Sequence, residues 1–469
     1  MDLHGPFIRL VGYPLFLVWT RDQAMLGETA ALDRIYKLSP EELGKRQWDR
    51  LKRLIQEAYD NCPYYTKLFQ ERGLTPGGIN SPEDFARIPV LTKQAIRKHG
   101  EELVSRKARR ASLLESHTAG STDRPLPFYR TRKILRSRWA QTASLNKLYG
   151  WRIGARVGYV WGAAMDFYEP LSFRGKIKKF ATNQDLMLPA MPLTKEILEG
   201  YREKLLRFSP EIVQGYSQPL YLLALHMEHA GLRGKGRRLF PDLRAIVATA
   251  EPLLYFQREK LKQVFDCPVF DRYGARETGL IATECVQEHS MHINTEGVYL
   301  EFVTDGRPAA DGEIGEIIVT DLLNTATPFI RYRIGDVGSK SETLCKCGWG
   351  LPVMGPATGR TADLLLLPDG SMVPGYTFPA RMTKDSPGVS QTQVIQEELS
   401  RFTIKYVPNE QFSEKDLEAI LTNFEKALGT GLRVNFERVD DIPRDPSGKN
   451  RFCISKLDVG LLGDAIRDI

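Results

Sequence analysis

The residues best suited to chemistry begin at Ser116. Within Ser116–Thr122 the sequence SHTAGST sets four hydroxyl side chains around Gly120, and Pro125 and Pro127 follow. So polar and interrupted a stretch belongs to a loop. Hydroxyls, with backbone N–H groups freed by a glycine, can surround phosphate oxygens. It is not a Walker A segment, because GxxxxGK[ST] does not occur in the chain. Basic residues come next: Arg124, Arg130, Arg132, Lys133, Arg136 and Arg138. Loops rich in Ser, Thr and Gly are common without a ligand, so the rest of the chain must decide.

Four other stretches could complete an anion site. In DRYGARETG (Asp271–Gly279) a strand pattern ends in Tyr273-Gly274, and a lone carboxylate, Glu277, follows. At a strand C-terminus a carboxylate can hold Mg²⁺ beside a triphosphate. In RYRIGDVG (Arg331–Gly338) Asp336 follows a glycine, where its oxygens can accept from both ribose hydroxyls. GRTADLL carries Arg360 and Asp363, and IPRDPSGKNR (Ile442–Arg451) presents Lys449. Singly, these also read as a surface glutamate, a Gly-Asp turn, a linker and a solvated lysine. A separate constellation is Cys285, His292, Cys345 and Cys347, with His289 as a rival ligand. Three Cys and one His suit tetrahedral structural Zn²⁺; otherwise they are free thiols and a surface imidazole.

The elements that must position these residues follow from periodicity. SPEELGKRQWDRLKRLIQEAYDN (Ser39–Asn61) predicts a helix with a Ser39/Glu42 capping box and Leu51, Leu54, Ile55 and Ala58 inward. A CPYY loop is expected after it, then a helix near Ser81 with proline first. From Val157 strand and helix patterns alternate through PVFDRYG, predicting a mostly parallel α/β sheet with ligands at strand C-termini. Val298–Thr320 predicts an antiparallel hairpin. After a break at Gly355–Leu365, FTIKYVP, SEKDLEAILTNFEKAL and RVNFERV predict a small α+β domain. Tyr159, Trp161, Met165, Phe167 and Tyr168 are candidates for an acyl pocket, or for core packing.

Composition sets the bounds. The 469 residues exceed one ordinary domain. A net charge of +7 suits an anionic small ligand or a membrane surface and is too weak to argue for nucleic acid. Six cysteines in so long a chain fit a reducing cytosol, so a cytoplasmic location is expected. The opening MDLHGPFIRLVGYPLFLVW is too short to span a bilayer. It is expected to cover apolar surface, with a shallow peripheral membrane contact through Arg9 as the alternative.

In order, the phosphate loop, YGxxE, YRxGD, GRxxD and a terminal PxxxSGK resemble the adenylate-forming superfamily over roughly Ser116 to Arg451. ELGKRQWDRLKRLIQEAYDNCPYYTKLF and FARIPVLTKQAIR look most like the phenylacetate–CoA ligase branch, and within it CapK-like proteins of polysaccharide gene clusters. The resemblance implies a large N-terminal domain (1–358), with parallel sheets, helices and a β-rich part. It also implies a small mobile C-terminal α+β domain (359–469). ATP would activate a small carboxylic acid as acyl-adenylate, releasing pyrophosphate, before transfer to CoA or, alternatively, to a sugar, amine or carrier protein. A non-catalytic nucleotide-binding homologue and a homodimer are further readings.

The same resemblance assigns Thr118, Gly120, Ser121 and Thr122 to the β,γ-phosphates and Ala250, Glu251 and Pro252 to the adenine. Tyr273 and Gly274 would lie beside the nucleotide, with Glu277 on Mg²⁺, Asp336 on the ribose and Arg360 on the ribose–phosphate. Asp363 would be the hinge and Lys449 the cation at the reacting phosphate. Some members of the branch share the C…H…CxCG arrangement. This chain departs from the pattern at Asp123-Arg124 and at Pro368-Asp369-Gly370, where CoA ligases of the branch carry a basic residue and glycine.

Overall fold

Alternating strand and helix patterns produce a long sheet with helices packed against it. The computed structural model describes residues 4–20, 23–117, 126–163, 180–182, 184–191, 193–251, 253, 255–287, 290–304, 306–357, 364–368, 372–374, 382, 385–442 and 453–457. Strands β1 (Leu114–His117) and β2 (Pro127–Arg130) form a hairpin. Next come β3 (Arg156–Ala163), β4 (Gln184–Met191), β5 (Ile212–Tyr216), β6 (Ala245–Thr249) and β7 (Val269–Ala275). They pair in parallel in the order β4-β3-β5-β6-β7.

The same sheet continues antiparallel. Its further strands are β8 (Gly279–Glu284), β9 (Met291–Ile293), β10 (Val298–Thr304), β11 (Arg307–Pro308), β12 (Ile314–Asp321), β13 (Tyr332–Ser341) and β14 (Val353–Met354). Their order from β7 is β8-β9-β14-β13-β12-β10-β11, so twelve strands join in all. The predicted Val298–Thr320 hairpin is β10 with β12. Beyond it β15 (Leu364–Leu366) pairs with β16 (Met372–Pro374). A separate sheet holds β17 (Val389–Glu398), β18 (Arg401–Pro408), β19 (Arg433–Arg438) and β20 (Cys453–Ser455), in the order β19-β18-β17-β20, with the helix Glu414–Leu428.

The central parallel strands β5 and β6 are buried on both faces, as βαβ crossovers require. On one face Val213, Ile246 and Val269 pack under Leu198, Leu205, Leu220 and Leu223 of the covering helices. On the other, Ile212, Ala245, Val247 and Phe270 join Tyr149 and Val157. Neighbouring residues in each strand thus point opposite ways, the period-2 rule at work.

Local reading holds well at the helices. Ser39 caps Pro40–Asn61 and forms the capping box with Glu42; Leu51, Leu54, Ile55 and Ala58 are buried. Ser81 caps Pro82–Ala86 with proline first. Two readings need correction. CPYY is not a loop: only Cys62 breaks the chain, and Pro63 opens a second helix, Pro63–Glu71. Proline lacks an N–H, which the first helical turn does not need. The strand β4 was not expected, because Pro189 interrupts its pattern. It lies at the sheet edge, where a missing donor is tolerated. The N-terminal segment is helical from His4 to Thr20 and docks through Ile8, Tyr13 and Leu17 onto Ala140, Leu145 and Leu280. No described helix is long and apolar enough to cross a membrane.

Candidate active site

The carboxyl ends of β5, β6 and β7 lie side by side. Tyr216 ends β5, Ala250 and Glu251 follow β6, and Tyr273 and Gly274 close β7. Open α/β sheets bind ligands at this edge. Ala250 has φ +68°, a left-handed conformation that costs an alanine energy and recurs at functional turns. The Glu251 carboxylate accepts a hydrogen bond from the Gln218 N–H at 2.9 Å, in the first turn of the helix Ser217–His229. Burial pushes that carboxyl up to about 7, against the pull of this N–H. Ser217 Oγ donates to the Glu251 carbonyl at 3.0 Å as well, so side chain and backbone of Glu251 both serve the helix start.

Tyr273 and Asp336 meet. The Tyr273 hydroxyl donates to Asp336 Oδ2 at 2.8 Å. β7 and β13 have β8, β9 and β14 between them. Four flat strand intervals would separate them by about 19 Å, so the sheet must curl back on itself. A second contact spans the same gap: the Tyr332 hydroxyl donates to Glu277 Oε1 at 3.4 Å. Glu277 is buried in the turn between β7 and β8. Two sequence motifs with unrelated local patterns thus share one locale.

Arg138 fixes that turn. Its guanidinium donates to the Glu277 carbonyl and pairs with the buried Asp321 carboxylate. Gly279, with φ +82°, lets the chain pass the Arg138 stem, where a Cβ would lie 3.2 Å from Cδ. The β1–β2 hairpin is held nearby. Tyr129 N–H donates to Thr327 Oγ1 at 3.1 Å, Asn324 Nδ2 donates to the Tyr129 carbonyl at 3.0 Å, and Phe128 packs on Phe329. Burial, then Arg138, pulls Arg130 below the usual guanidinium range. Arg130 also donates to Ser116 Oγ, so a guanidinium stands at the stem of the hydroxyl-rich loop, where it can meet an anion. Thr118, Gly120, Ser121, Thr122, Asp123 and Arg124 lie outside the described residues, as do Pro252, Arg360, Asp363 and Lys449.

Among the aromatic candidates, Trp161 packs on Tyr216 with ring centroids 4.9 Å apart. Tyr159 packs with the Tyr149–Phe270 cluster as core. Met165, Phe167 and Tyr168 lie outside the described residues. Sequence reasoning missed the roles of Asp321 and Tyr332. Tyr332 stood inside a quoted motif; nothing local marks Asp321, whose partner is 183 positions away.

The four sulfur and imidazole ligands also converge. Cys285 Sγ lies 3.5 Å from Cys345 Sγ, and Cys347 Sγ lies 3.4 Å from His292 Nε2. All four ligand atoms fall within 4.8 Å of one another. Tetrahedral zinc, with Zn–S near 2.3 Å and Zn–N near 2.0 Å, sets such separations at about 3.5–3.8 Å. The donor set fits that ion. Burial lowers His292, favouring the neutral imidazole that ligates, while burial raises the Cys285 and Cys347 thiols. A divalent cation would reverse the thiol effect. His289 lies outside the described residues.

Comparison with known proteins adds a lineage. A model of the CapK C-terminal domain matches residues 365–456. Protein CapK of Staphylococcus aureus is 24% identical over 420 residues, covering 89% of this chain and 90% of the relative. A phenylacetate–coenzyme A ligase of Thermus thermophilus is 25% identical over 447 residues, covering 88% and 96%. Among solved structures, a 2-hydroxyisobutyryl-CoA ligase in complex with 2-HIB-AMP and CoA aligns with TM-score 0.62 at 19% identity, over 90% of this chain and 91% of that one. That last likeness is one of fold.

Proposed function

We propose that this chain, similar over most of its length to CapK and to phenylacetate–coenzyme A ligases, is an adenylate-forming enzyme, an ATP-dependent, AMP-forming acid–thiol ligase. Its substrate is a small carboxylic acid and its simplest acceptor is CoA. The observation that carries this reading is the convergence of Tyr273 with Asp336 and of Tyr332 with Glu277 near the carboxyl ends of the parallel strands.

In the first step a carboxylate oxygen of the substrate attacks the α-phosphorus of ATP. The bond to the bridging oxygen breaks, pyrophosphate leaves, and an acyl-adenylate remains. The substrate is ionised near neutral pH, so no general base is needed. Barrier lowering comes from positioning and from charge placed against the phosphoryl oxygens. Asp336 accepts from the ribose hydroxyls, and the Tyr273 hydroxyl fixes the carboxylate that does so. Thr118, Gly120, Ser121 and Thr122 hold the β,γ-phosphates beside the Arg130 guanidinium. Ala250, Glu251 and Pro252 border the adenine, and Arg360 meets the ribose–phosphate. Lys449 offsets charge at the α-phosphate. Glu277 would hold Mg²⁺, which neutralises phosphate charge when bound. In the second step a thiolate attacks the acyl carbonyl and AMP leaves. Cys285, His292, Cys345 and Cys347 hold a structural Zn²⁺.

A second acceptor class, a sugar, amine or carrier protein, is favoured by Pro368-Asp369-Gly370, which lacks the basic residue of CoA ligases in the branch. ATP–pyrophosphate exchange across a panel of carboxylates, with and without CoA, tests the proposal. Exchange lost in Lys449→Ala supports adenylation, and acyl-CoA formation selects the first acceptor. No exchange with any acid, together with no ATP binding, overturns the enzyme reading.

A further inference from the structure

The helical segment His4–Thr20 carries two apolar faces where a surface helix needs one. One face docks through Ile8, Tyr13 and Leu17. The other shows Phe7, Leu10, Val11, Leu15, Val18 and Trp19 to solvent, at the three- and four-residue spacing of a single helical stripe. Leu10 is 70% exposed, Leu15 62% and Trp19 71%. A helix docked on a water-soluble domain turns a polar face outward; one apolar all round is covered on both sides or meets lipid. Phe180 extends the patch. It is 61% exposed, stacks on His4 at 4.3 Å and lies 6.2 Å from Phe7.

Charge distinguishes what covers the stripe. From His4 to Thr20 the chain has one charged side chain, the exposed Arg9, and no carboxylate. Docking on a second copy through a two-fold axis would enclose two Arg9 side chains in one apolar seam, with no carboxylate of the segment to meet them. An anionic bilayer surface meets the same pattern with opposite charge. The seventeen residues span about 25 Å as a helix, short of the hydrocarbon core. They are also held flat by the docked face.

We infer that this stripe is a peripheral membrane-binding surface, seated in the interface of anionic phospholipid with Leu10, Leu15 and Trp19 as its anchors and the exposed Arg9 as its one cation. The interaction is independent of which acyl acceptor the enzyme uses. Apolar burial supplies part of the affinity and headgroup attraction the rest, so binding weakens as salt rises.

Co-sedimentation of the full chain with phosphatidylcholine vesicles, with and without phosphatidylglycerol, tests it. Anionic vesicles are expected to bind the chain, with Trp fluorescence shifting to the blue. The triple variant Leu10→Glu, Leu15→Glu, Trp19→Glu is expected to lose binding by more than about tenfold. Its pyrophosphate exchange should be unchanged, which also shows that it folds. Arg9→Glu alone should weaken binding and its salt dependence. Failure of the unaltered chain to bind anionic vesicles overturns the proposal, as does binding that survives the triple substitution. So does a dimer, seen by light scattering, that the triple variant converts to monomer without any vesicle binding.

Discussion

At the residue scale, the shorter of the two hydrogen bonds that join the motifs runs from Tyr273 to Asp336. Asp336 would face the ribose, and Tyr273 holds it at 2.8 Å. Hydrogen bonds to a charged group are worth about 1.5–3 kcal/mol. Asp336→Ala should therefore raise the KM for ATP in pyrophosphate exchange by roughly ten- to a hundredfold. Tyr273→Phe removes only the holding contact and should raise it about fivefold. No effect of Tyr273→Phe would mean that Asp336 needs no support, and an equal effect of the two that Asp336 acts only when held.

Asp271, the first residue of the same motif, is a different case. Its buried carboxyl is pushed up to about 7, by burial first and the neighbouring Glu284 second, with Arg258 pulling back. Glu284 itself is held by Arg258 at 2.8 Å. A carboxyl raised on folding takes up a proton, against an unfolded value of about 3.9. Its contribution therefore favours the folded state at low pH and is lost as pH rises through about 7. Asparagine at this position keeps the shape and never ionises. The stability of Asp271→Asn minus that of the unaltered protein should grow between pH 5 and 8, by an amount on the order of 2–4 kcal/mol. Denaturant unfolding at four pH values measures it; a flat difference would show that Asp271 is ionised throughout.

Elements carry the next scale, and the metal cluster joins three of them. Cys285 follows β8, His292 lies in β9, and Cys345 and Cys347 stand between β13 and β14. The same segment closes over the N-terminal helices: the Gly350 N–H donates to the Tyr36 carbonyl at 2.9 Å, and Tyr36 stacks on Trp349. Zinc bound there would contribute folding energy. Protein purified without a metal-affinity tag should hold about one zinc per chain, and Cys345→Ser should hold nearly none. The variant should melt lower by about 5 °C or more, with Trp349 emission changed. A zinc content near zero in the unaltered protein rejects the site. Gly350→Ala makes an independent test, since its Cβ would stand 1.8 Å from the Leu38 carbonyl oxygen. That substitution should destabilise the same segment while Cys345 and Cys347 remain intact.

How much was legible in the sequence also divides by element. Helix Pro40–Asn61 could be read in full, because its cap, proline and apolar stripe are local signals. The strands β5, β6 and β7 were legible as apolar runs between helices. β4 was hidden by Pro189, whose acceptability depends on an edge position that no local pattern reveals. The site divides in the same way. Glu277 and Asp336 were visible as motif residues, and the metal cluster as spacing. Their meeting with Tyr332 and Tyr273, and the Arg138–Asp321 pair, depend on a sheet that curls back on itself. Such pairings are set by packing between residues far apart in sequence.

For the molecule as a whole, the proposed chemistry is split between two parts of the chain. Glu277 and Asp336 belong to the large sheet, whereas Lys449 falls within the matched C-terminal region. β20 begins at Cys453 and pairs in parallel with β17. In the proposed reaction Lys449 acts only when the C-terminal region brings it to the nucleotide. The two half-reactions need this unequally. Adenylation develops charge on phosphoryl oxygens, where a lysine is most effective. Thiol attack occurs at the acyl carbonyl, with AMP already formed as the leaving group. Lys449→Ala should therefore slow pyrophosphate exchange by more than about a hundredfold. Thioester formation from acyl-adenylate supplied ready-made should slow by less than about tenfold. Rapid-quench measurement of both steps separates them, and equal losses would place Lys449 in both.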